Sequence, residues 1–241
     1  MITLTIDGRK VQAEEGQTVL DVARQNNIYI PTLCVNESVQ PYGACRLCLV
    51  EATRGKRTRL VASCLYLAAE GLSVKTDSEK ISTVRRMIAE LLLARCPQSA
   101  EVKALATKLG VGQPRFKVED EDNLCVLCGL CTRVCEEVVG QSAISLVNRG
   151  TQREVSIPFN ENSDACIACG SCAYVCPTEA ITLEDAGGTR TITMPNCRME
   201  FKMRQCPDCG DYWAPEKQLK WMAEKANISP EVFSLCPDCR S

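Results

Sequence analysis

Between Cys125 and Pro177 one cysteine spacing is written twice: Cys125-x2-Cys128-x2-Cys131-x3-Cys135, then Cys166-x2-Cys169-x2-Cys172-x3-Cys176, the second closed by Pro177. Thiolates at this spacing wrap three corners of an iron-sulfur cube from one short loop, while the fourth cysteine of each run ligates the other cube. The expected sets are Cys125, Cys128, Cys131 and Cys176 for one [4Fe-4S] cluster, and Cys166, Cys169, Cys172 and Cys135 for a second. Disulfides or zinc would use the same residue type, but tandem four-cysteine runs with a closing proline mark ferredoxin-type sites. Gly129 and Gly170 follow the second cysteine of each run, where a positive φ and close backbone approach favour glycine.

Two further cysteine groups flank this pair. Upstream, Cys34-x10-Cys45-x2-Cys48-x15-Cys64 supplies the four thiolates that a [2Fe-2S] cluster needs, at a spacing unlike the plant-type C-x4-C-x2-C. Gly43 and Ala44 put small residues where backbone must wrap the cluster. Downstream, Cys206-Pro-Asp-Cys209-Gly210 and Cys236-Pro-Asp-Cys239 form two knuckles with the four-thiolate pattern of structural zinc. Cys197 leaves an alternative open, in which Cys197, Cys206, Cys209 and Cys236 hold a further [4Fe-4S] cluster; an unmetallated thiol group is the third reading. Cys96, beside Pro97, stands alone and reads as a packed free thiol.

Several chemistries are excluded by what is missing. With no histidine in the chain, Rieske ligation, an HExxH zinc site and every histidine-based acid, base or triad drop out. Gly110-Val111-Gly112 lacks the rest of a dinucleotide fingerprint, and no Walker A run occurs. A formal net charge of -2 argues against a phosphate-binding footprint and hence against nucleic acid. The longest apolar stretch, near Met87–Ala94, is broken by Glu90 and too short to span a membrane. Eighteen cysteines without a recognisable leader point to metal ligation in a reducing, cytoplasmic setting.

Short elements must hold these loops. Ile2–Ile6 alternates, Asp7-Gly8 turns, and Lys10–Ala13 returns as the second arm of a hairpin. Thr18 opens a helix with Val19, Leu20, Val22 and Ala23 apolar, ending at Asn26-Asn27. Leu49–Ala62 reads as a hairpin turning at Arg54-Gly55-Lys56; its basic tip, Arg54, Lys56, Arg57 and Arg59, reads as a solvated turn or a docking patch. A helix from Asp77-Ser78 to about Arg95 is expected to bury Ile81, Val84, Ile88, Leu91 and Leu92, and a second, near Ala100–Leu109, to stop at Gly110. Glu119-Asp120-Glu121-Asp122 is a solvated entry to the double cysteine run. Apolar segments follow both runs, Ala143-Ile144-Ser145-Leu146 and Ala180-Ile181-Thr182-Leu183. Farther on come a hairpin at Gly187-Gly188 and a helix over Pro215–Asn227 with Leu219 and Met222 inward. The expected class is α+β: a β-grasp [2Fe-2S] domain (1–76), a helical linker (77–118), a double-cubane ferredoxin-like domain (119–195) and a small cysteine-rich metal module (196–241).

This order of parts resembles the N-terminal iron-sulfur region of the large iron-sulfur subunit of respiratory complex I. It also resembles the front half of [FeFe]-hydrogenases and the small diaphorase-side subunit of NAD-reducing hydrogenases. The residues that carry the likeness are Cys34 to Cys64, Cys125-Val-Leu-Cys-Gly-Leu-Cys-Thr-Arg-Val-Cys135 and Cys166-Ile-Ala-Cys-Gly-Ser-Cys-Ala-Tyr-Val-Cys-Pro177. The resemblance implies an electron-transfer subunit of an NAD(P)-linked oxidoreductase of hydrogenase, formate dehydrogenase or electron-bifurcating type. Its partners would be a flavin-containing NAD(P)H-handling subunit and a second redox subunit. A freely diffusing multi-cluster carrier and a zinc-ribbon interaction module are the competing readings. Relatives often carry a further cluster held by one histidine and three cysteines; here the place reads Leu93-Ala94-Arg95-Cys96-Pro97, so that cluster is expected to be absent. Too few residues follow Cys176 for a hydrogen-activating or molybdopterin-type domain.

Overall fold

The computed structural model describes residues 1–158 and 163–240. It divides into two compact units, Met1–Leu130 and Cys131–Ser241, each mixing strands with helices. Residues 159–162, inside the expected 119–195 span, and Ser241 lie outside the described residues.

In the first unit β1 (Ile2–Ile6) and β2 (Arg9–Ala13) pair antiparallel from Ile2↔Ala13 to Ile6↔Arg9. Asp7 and Gly8 both take positive φ between them, the backbone of a turn whose twist matches the strands. Helix α1 (Val19–Gln25) starts on a reciprocal capping box between Thr18 and Asp21 and buries Val19, Leu20, Val22 and Ala23. A second hairpin, β3 (Leu49–Arg54) and β4 (Arg57–Ala62), pairs from Leu49↔Ala62 to Arg54↔Arg57. Its basic tip is exposed. The short β5 (Ser73–Lys75) joins the two hairpins into one sheet of order β2-β1-β5-β3-β4, parallel to β1 and antiparallel to β3. Leu4, Ile6, Leu20, Val50, Leu72 and Val74 form the heart of the core beneath it.

Helix α2 (Glu79–Arg95), capped by Ser78, and α3 (Ala100–Lys108), capped by Ser99, follow. The buried face of α2 differs from the expected one. Ile81, Arg85, Ala89, Leu93 and Ala94 are inside, whereas Leu91 is 49% exposed and Val84, Ile88 and Leu92 are half-buried. Positions four apart make a straight seam along a helix, and a reading by apolarity alone passes over the arginine in that seam. Helix α3 ends as expected: Val111 N bonds Ala106 O at 2.9 Å across Gly110, a glycine C-terminal cap. Cys96 closes α2 and is fully buried among Ala89, Leu93, Val102, Ala106 and Val111.

The second unit begins with the end of α4 (Leu130–Arg133), which passes into a π-turn at Val134–Val138. Strands β6 (Ser145–Val147) and β7 (Glu154–Ser156) make a two-stranded pair, and α5 (Ser171–Tyr174) carries part of the second cysteine run. Then β8 (Thr182–Ala186), β9 (Thr189–Met194), β10 (Cys197–Gln205) and β11 (Tyr212–Pro215) form an antiparallel sheet. Helix α6 (Glu216–Ala226) buries Leu219 and Ala223 against Phe233. Met222, expected inward, is 37% exposed; the seam again runs at i, i+4, and Ala223 takes the inner place. Among the described residues no helix is long and apolar enough to cross a membrane.

Candidate iron-sulfur and metal sites

In the first unit the two hairpins and α1 bring Cys34, Cys45, Cys48 and Cys64 into two close pairs. Cys34 and Cys45 place their Sγ atoms 3.3 Å apart, Cys48 and Cys64 theirs 3.4 Å apart. Backbone N–H groups point at the sulfurs: Leu33 donates to Cys45 Sγ at 3.5 Å and Cys45 to Cys34 Sγ at 3.4 Å. Arg46 adopts a left-handed φ of 58° inside the Cys45-Arg46-Leu47-Cys48 turn. The hydrogen bond from each partner thiol holds Cys34 and Cys48 down to about 6, and burial adds to the upward push on Cys45 and Cys64. The Ser63 hydroxyl is buried without a hydrogen-bond partner. Two close thiol pairs, N–H donors aimed at sulfur and an orphaned hydroxyl fit a [2Fe-2S] cluster.

Arg85 was not singled out by the sequence. The residue is 7% exposed, and its guanidinium donates from Nε to Leu47 O at 2.9 Å, from Nη2 to Leu49 O at 2.8 Å and from Nη1 to Thr76 O at 3.0 Å. The first two acceptors flank Cys48. The one signal in the sequence is that Arg85 stands four residues from both Ile81 and Ala89.

Cys125 and Cys128 lie at the end of the first unit. Arg95 Nε donates to Cys125 O at 2.9 Å, Asn123 Oδ1 accepts from Cys125 N at 2.9 Å, and Asn123 Nδ2 donates to Arg95 O at 3.0 Å. Leu127 and Gly129 have positive φ, and Ala168 and Gly170 repeat that pattern in the second unit. The two runs therefore share a backbone shape as well as a spacing, with non-glycine residues taking the left-handed region at the earlier position of each.

In the second unit Cys135, Cys166, Cys169 and Cys172 line one cavity, closed by Ile144, Ile167 and Ile192. Cys135 comes from the π-turn, a local widening of the helix that recurs at functional sites, and Ala143 N donates to its Sγ at 3.3 Å. Burial pushes Cys172 up to about 12 and raises Cys135 and Cys166 as well, so the apolar lining favours neutral thiols until a cation is present. Four sulfurs around one apolar cavity fit a cubane. Arg190 Nη1 donates to Ala168 O at 3.1 Å while its Nε and Nη2 fork onto Asp185 at 2.8 and 2.7 Å. Cys131 is buried within α4, and Cys176 is half-buried with Thr178 Oγ1 3.9 Å from its sulfur.

At the C-terminal end Cys206, Cys209, Cys236 and Cys239 put all four Sγ atoms within 4.8 Å of one another. Cys209 and Cys236 are 3.7 Å apart, near the ~3.8 Å edge of a tetrahedron with 2.3 Å zinc–sulfur bonds. The Cys236 N–H, 3.5 Å from Cys206 Sγ, is the largest of the influences that lower Cys206 to about 6. Arg240 stacks over Trp213 and Phe233, 5.6 and 5.2 Å from the ring centres, tying the second knuckle to the α6 core. Cys197 is not brought to this group. It pairs with Met194 at the far end of β10, on the order of 26 Å of extended strand from Gln205.

Residues 1–79 match the 2Fe-2S iron-sulfur cluster binding domain and residues 124–180 the 4Fe-4S dicluster domain. This chain belongs to the iron-sulfur proteins that join those two domains. The alpha subunit of the NADPH-Fe(3+) oxidoreductase of Geobacter sulfurreducens is 33% identical over 201 residues, 74% of this chain and 24% of the relative. One subunit of an NADH-quinone oxidoreductase of Rhizobium meliloti is 34% identical over 206 residues, 75% of this chain and 24% of the relative. A crystal structure of NAD+-reducing [NiFe]-hydrogenase contains a chain that superposes with a TM-score of 0.59 at 31% identity, covering 65% of this chain and 74% of that one. The chain spans about a quarter of the length of the two curated relatives named. The resemblance read from the cysteine runs holds.

Proposed function

We propose that this chain is the electron-relay portion of an NAD(P)-linked oxidoreductase complex. Cys34 and Cys45 hold one iron of a [2Fe-2S] cluster, and Cys48 and Cys64 the other, in a β-grasp domain. Cys135 completes a cubane with Cys166, Cys169 and Cys172, and by the symmetry of the repeat Cys176 completes the one held by Cys125, Cys128 and Cys131. Cys206, Cys209, Cys236 and Cys239 hold zinc. Bound there, the iron-sulfur groups supply one-electron storage and release with little movement of atoms. The protein's own part is to keep the sulfurs dry, aim N–H donors at them and fix their loops. Helices α2 and α3 form the helical link between the two cluster domains.

The observation that carries this reading is the single cavity lined by Cys135 and the three cysteines of the following run, the crossed arrangement of a double-cubane module. The reactions for which the relatives are named support the rest. They share a nicotinamide nucleotide and differ in the second reactant, Fe(3+), quinone or hydrogen. A relay serves all of these, with a flavin-containing NAD(P)H-handling subunit on one side and a second redox subunit on the other.

The test is anaerobic reconstitution of the full chain, followed by mixing with NADH or NADPH. The loaded chain should hold about ten iron atoms and keep its visible cluster absorption until a flavoprotein partner is added. Rapid bleaching by either nucleotide alone would overturn the relay reading in favour of a nucleotide-binding enzyme.

A further inference from the structure

Arginine in the buried seam of α2 is costly, because a guanidinium taken from water keeps its charge and must find partners for its donors. Arg85 finds carbonyl oxygens, those of Leu47, Leu49 and Thr76. Carbonyls satisfy hydrogen bonds without cancelling charge. Among the described residues no carboxylate pairs with Arg85 within ion-pair distance; Asp77 and Asp7 act on it only at longer range. A cation with no ion-pair partner among the described residues is thus held against the carbonyls of Leu47 and Leu49, the residues on either side of fully buried Cys48.

Arg190 shows what a purely mechanical arginine looks like. It too holds a carbonyl inside a cysteine loop, that of Ala168, but its charge is offset by a forked contact with Asp185. Positioning a loop needs only the hydrogen bond. Arg85 lacks the neutralising carboxylate, so it has a second effect that Arg190 does not have.

We propose that Arg85 is a positioning residue of the [2Fe-2S] site, whose fork fixes Leu47 and Leu49 around Cys48 and whose uncompensated charge favours the one-electron-reduced cluster. This rests on the reading of Cys34, Cys45, Cys48 and Cys64 as cluster ligands. One electron enters without a proton, so the site gains one negative charge on reduction. A cation fixed beside the cluster then binds the reduced form more strongly than the oxidised one.

Arg85→Met and Arg85→Lys are made in the full chain, the clusters are reconstituted anaerobically, and the [2Fe-2S] EPR signal is followed during a mediated titration with dithionite as the one-electron donor. Arg85→Met is expected to shift the reduction equilibrium at least tenfold toward the oxidised form, ~59 mV for one electron. Arg85→Lys keeps the charge but offers one nitrogen for three carbonyls. It is expected to hold its midpoint within a threefold change of equilibrium while losing its cluster faster to a chelator. A wild-type midpoint in cluster-loaded Arg85→Met overturns the proposal. If Arg85→Met retains no cluster, the lysine variant decides: a tenfold fall in its equilibrium overturns the charge effect, and an unchanged midpoint with faster cluster loss upholds it. A wild-type chain with no [2Fe-2S] signal at all would instead remove the ligand assignment beneath it.

Discussion

The Sγ atoms of Cys48 and Cys64 stand 3.4 Å apart at the open end of the β3–β4 hairpin, whose strands run out from one cysteine and back to the other. Leu49 pairs with Ala62 just inside them, and Ser63 N bonds Cys48 O at 3.1 Å. The long spacing between these two cysteines is therefore not a floppy loop: a ladder of strand pairs closes it at small entropic cost. Half of the candidate four-cysteine site is built by hairpin register.

That dependence can be tested inside the hairpin. Val50 is fully buried on β3, a strand flanked on both sides, and faces Val61. Val50→Pro removes a ladder donor and a buried side chain, a change that a strand inside a sheet does not tolerate. The [2Fe-2S] EPR signal should disappear and iron should fall by about two atoms per chain, with the cubane signals retained.

For the double run the expectation is a crossed effect. Cys135→Ser should damage the cluster of Cys166, Cys169 and Cys172 and spare the one held by Cys125, Cys128 and Cys131. EPR with each cubane assigned by a second ligand variant measures this. Loss of the sequence-adjacent cluster instead would mean that the shared cavity is not the ligand set.

Two cysteines lie outside every four-sulfur group, and their environments differ. Cys96 is fully buried and burial pushes its thiol up to about 12, so at pH 8 its thiolate fraction is about two thousandfold below that of an ordinary cysteine of pKa near 8.5. Cys197 is half-buried at the first position of β10, with burial raising it as well. Iodoacetamide at pH 8 should therefore label Cys197 in the folded, cluster-loaded chain and leave Cys96 untouched until denaturant is added. Cys96→Ser should leave the iron and sulfide content unchanged. Peptide mass spectrometry and iron assay report both.

The sequence spoke plainly wherever chemistry or local geometry is written in adjacent residues. The cysteine runs, Asp7-Gly8 and Gly187-Gly188 with their positive φ, and the Thr18 and Ser78 caps all depend on neighbours. Strand β5 did not show itself, because three residues carry no readable alternation and its parallel partner β1 lies far away in the chain. The inner face of α2 was misread for a different reason. Arg85 counts as polar in any periodicity, yet three remote carbonyls hold it inside. Leu127 and Ala168 in left-handed backbone were equally silent, since neither residue type advertises that conformation. Cys197 looked close to Cys206 when distance was counted in residues, but one extended strand sets them far apart.

The C-terminal group allows the sharpest test of metal identity. Its four sulfurs lie within 4.8 Å of one another, a tetrahedral spacing for one ion, and a cubane would need its thiolates on four separate irons. One zinc per chain is therefore expected. It should survive oxidation that destroys the iron-sulfur clusters, because zinc has no redox chemistry. Cys236→Ala should remove the zinc without lowering the iron, and Cys197→Ser should change neither. Zinc binding must also displace thiol protons. Cys206 is held down to about 6, chiefly by the Cys236 N–H, so it is already a thiolate at pH 7.5, whereas neighbouring thiols raise Cys239. Titration of zinc into the zinc-free chain, compared by calorimetry in two buffers of different ionisation enthalpy, should show release of fewer than four protons per zinc at pH 7.5. The count should rise by about one as the pH is lowered through 6. A site that binds iron in preference to zinc, or loses metal in Cys197→Ser, would return the extra-cluster reading to the C-terminal module.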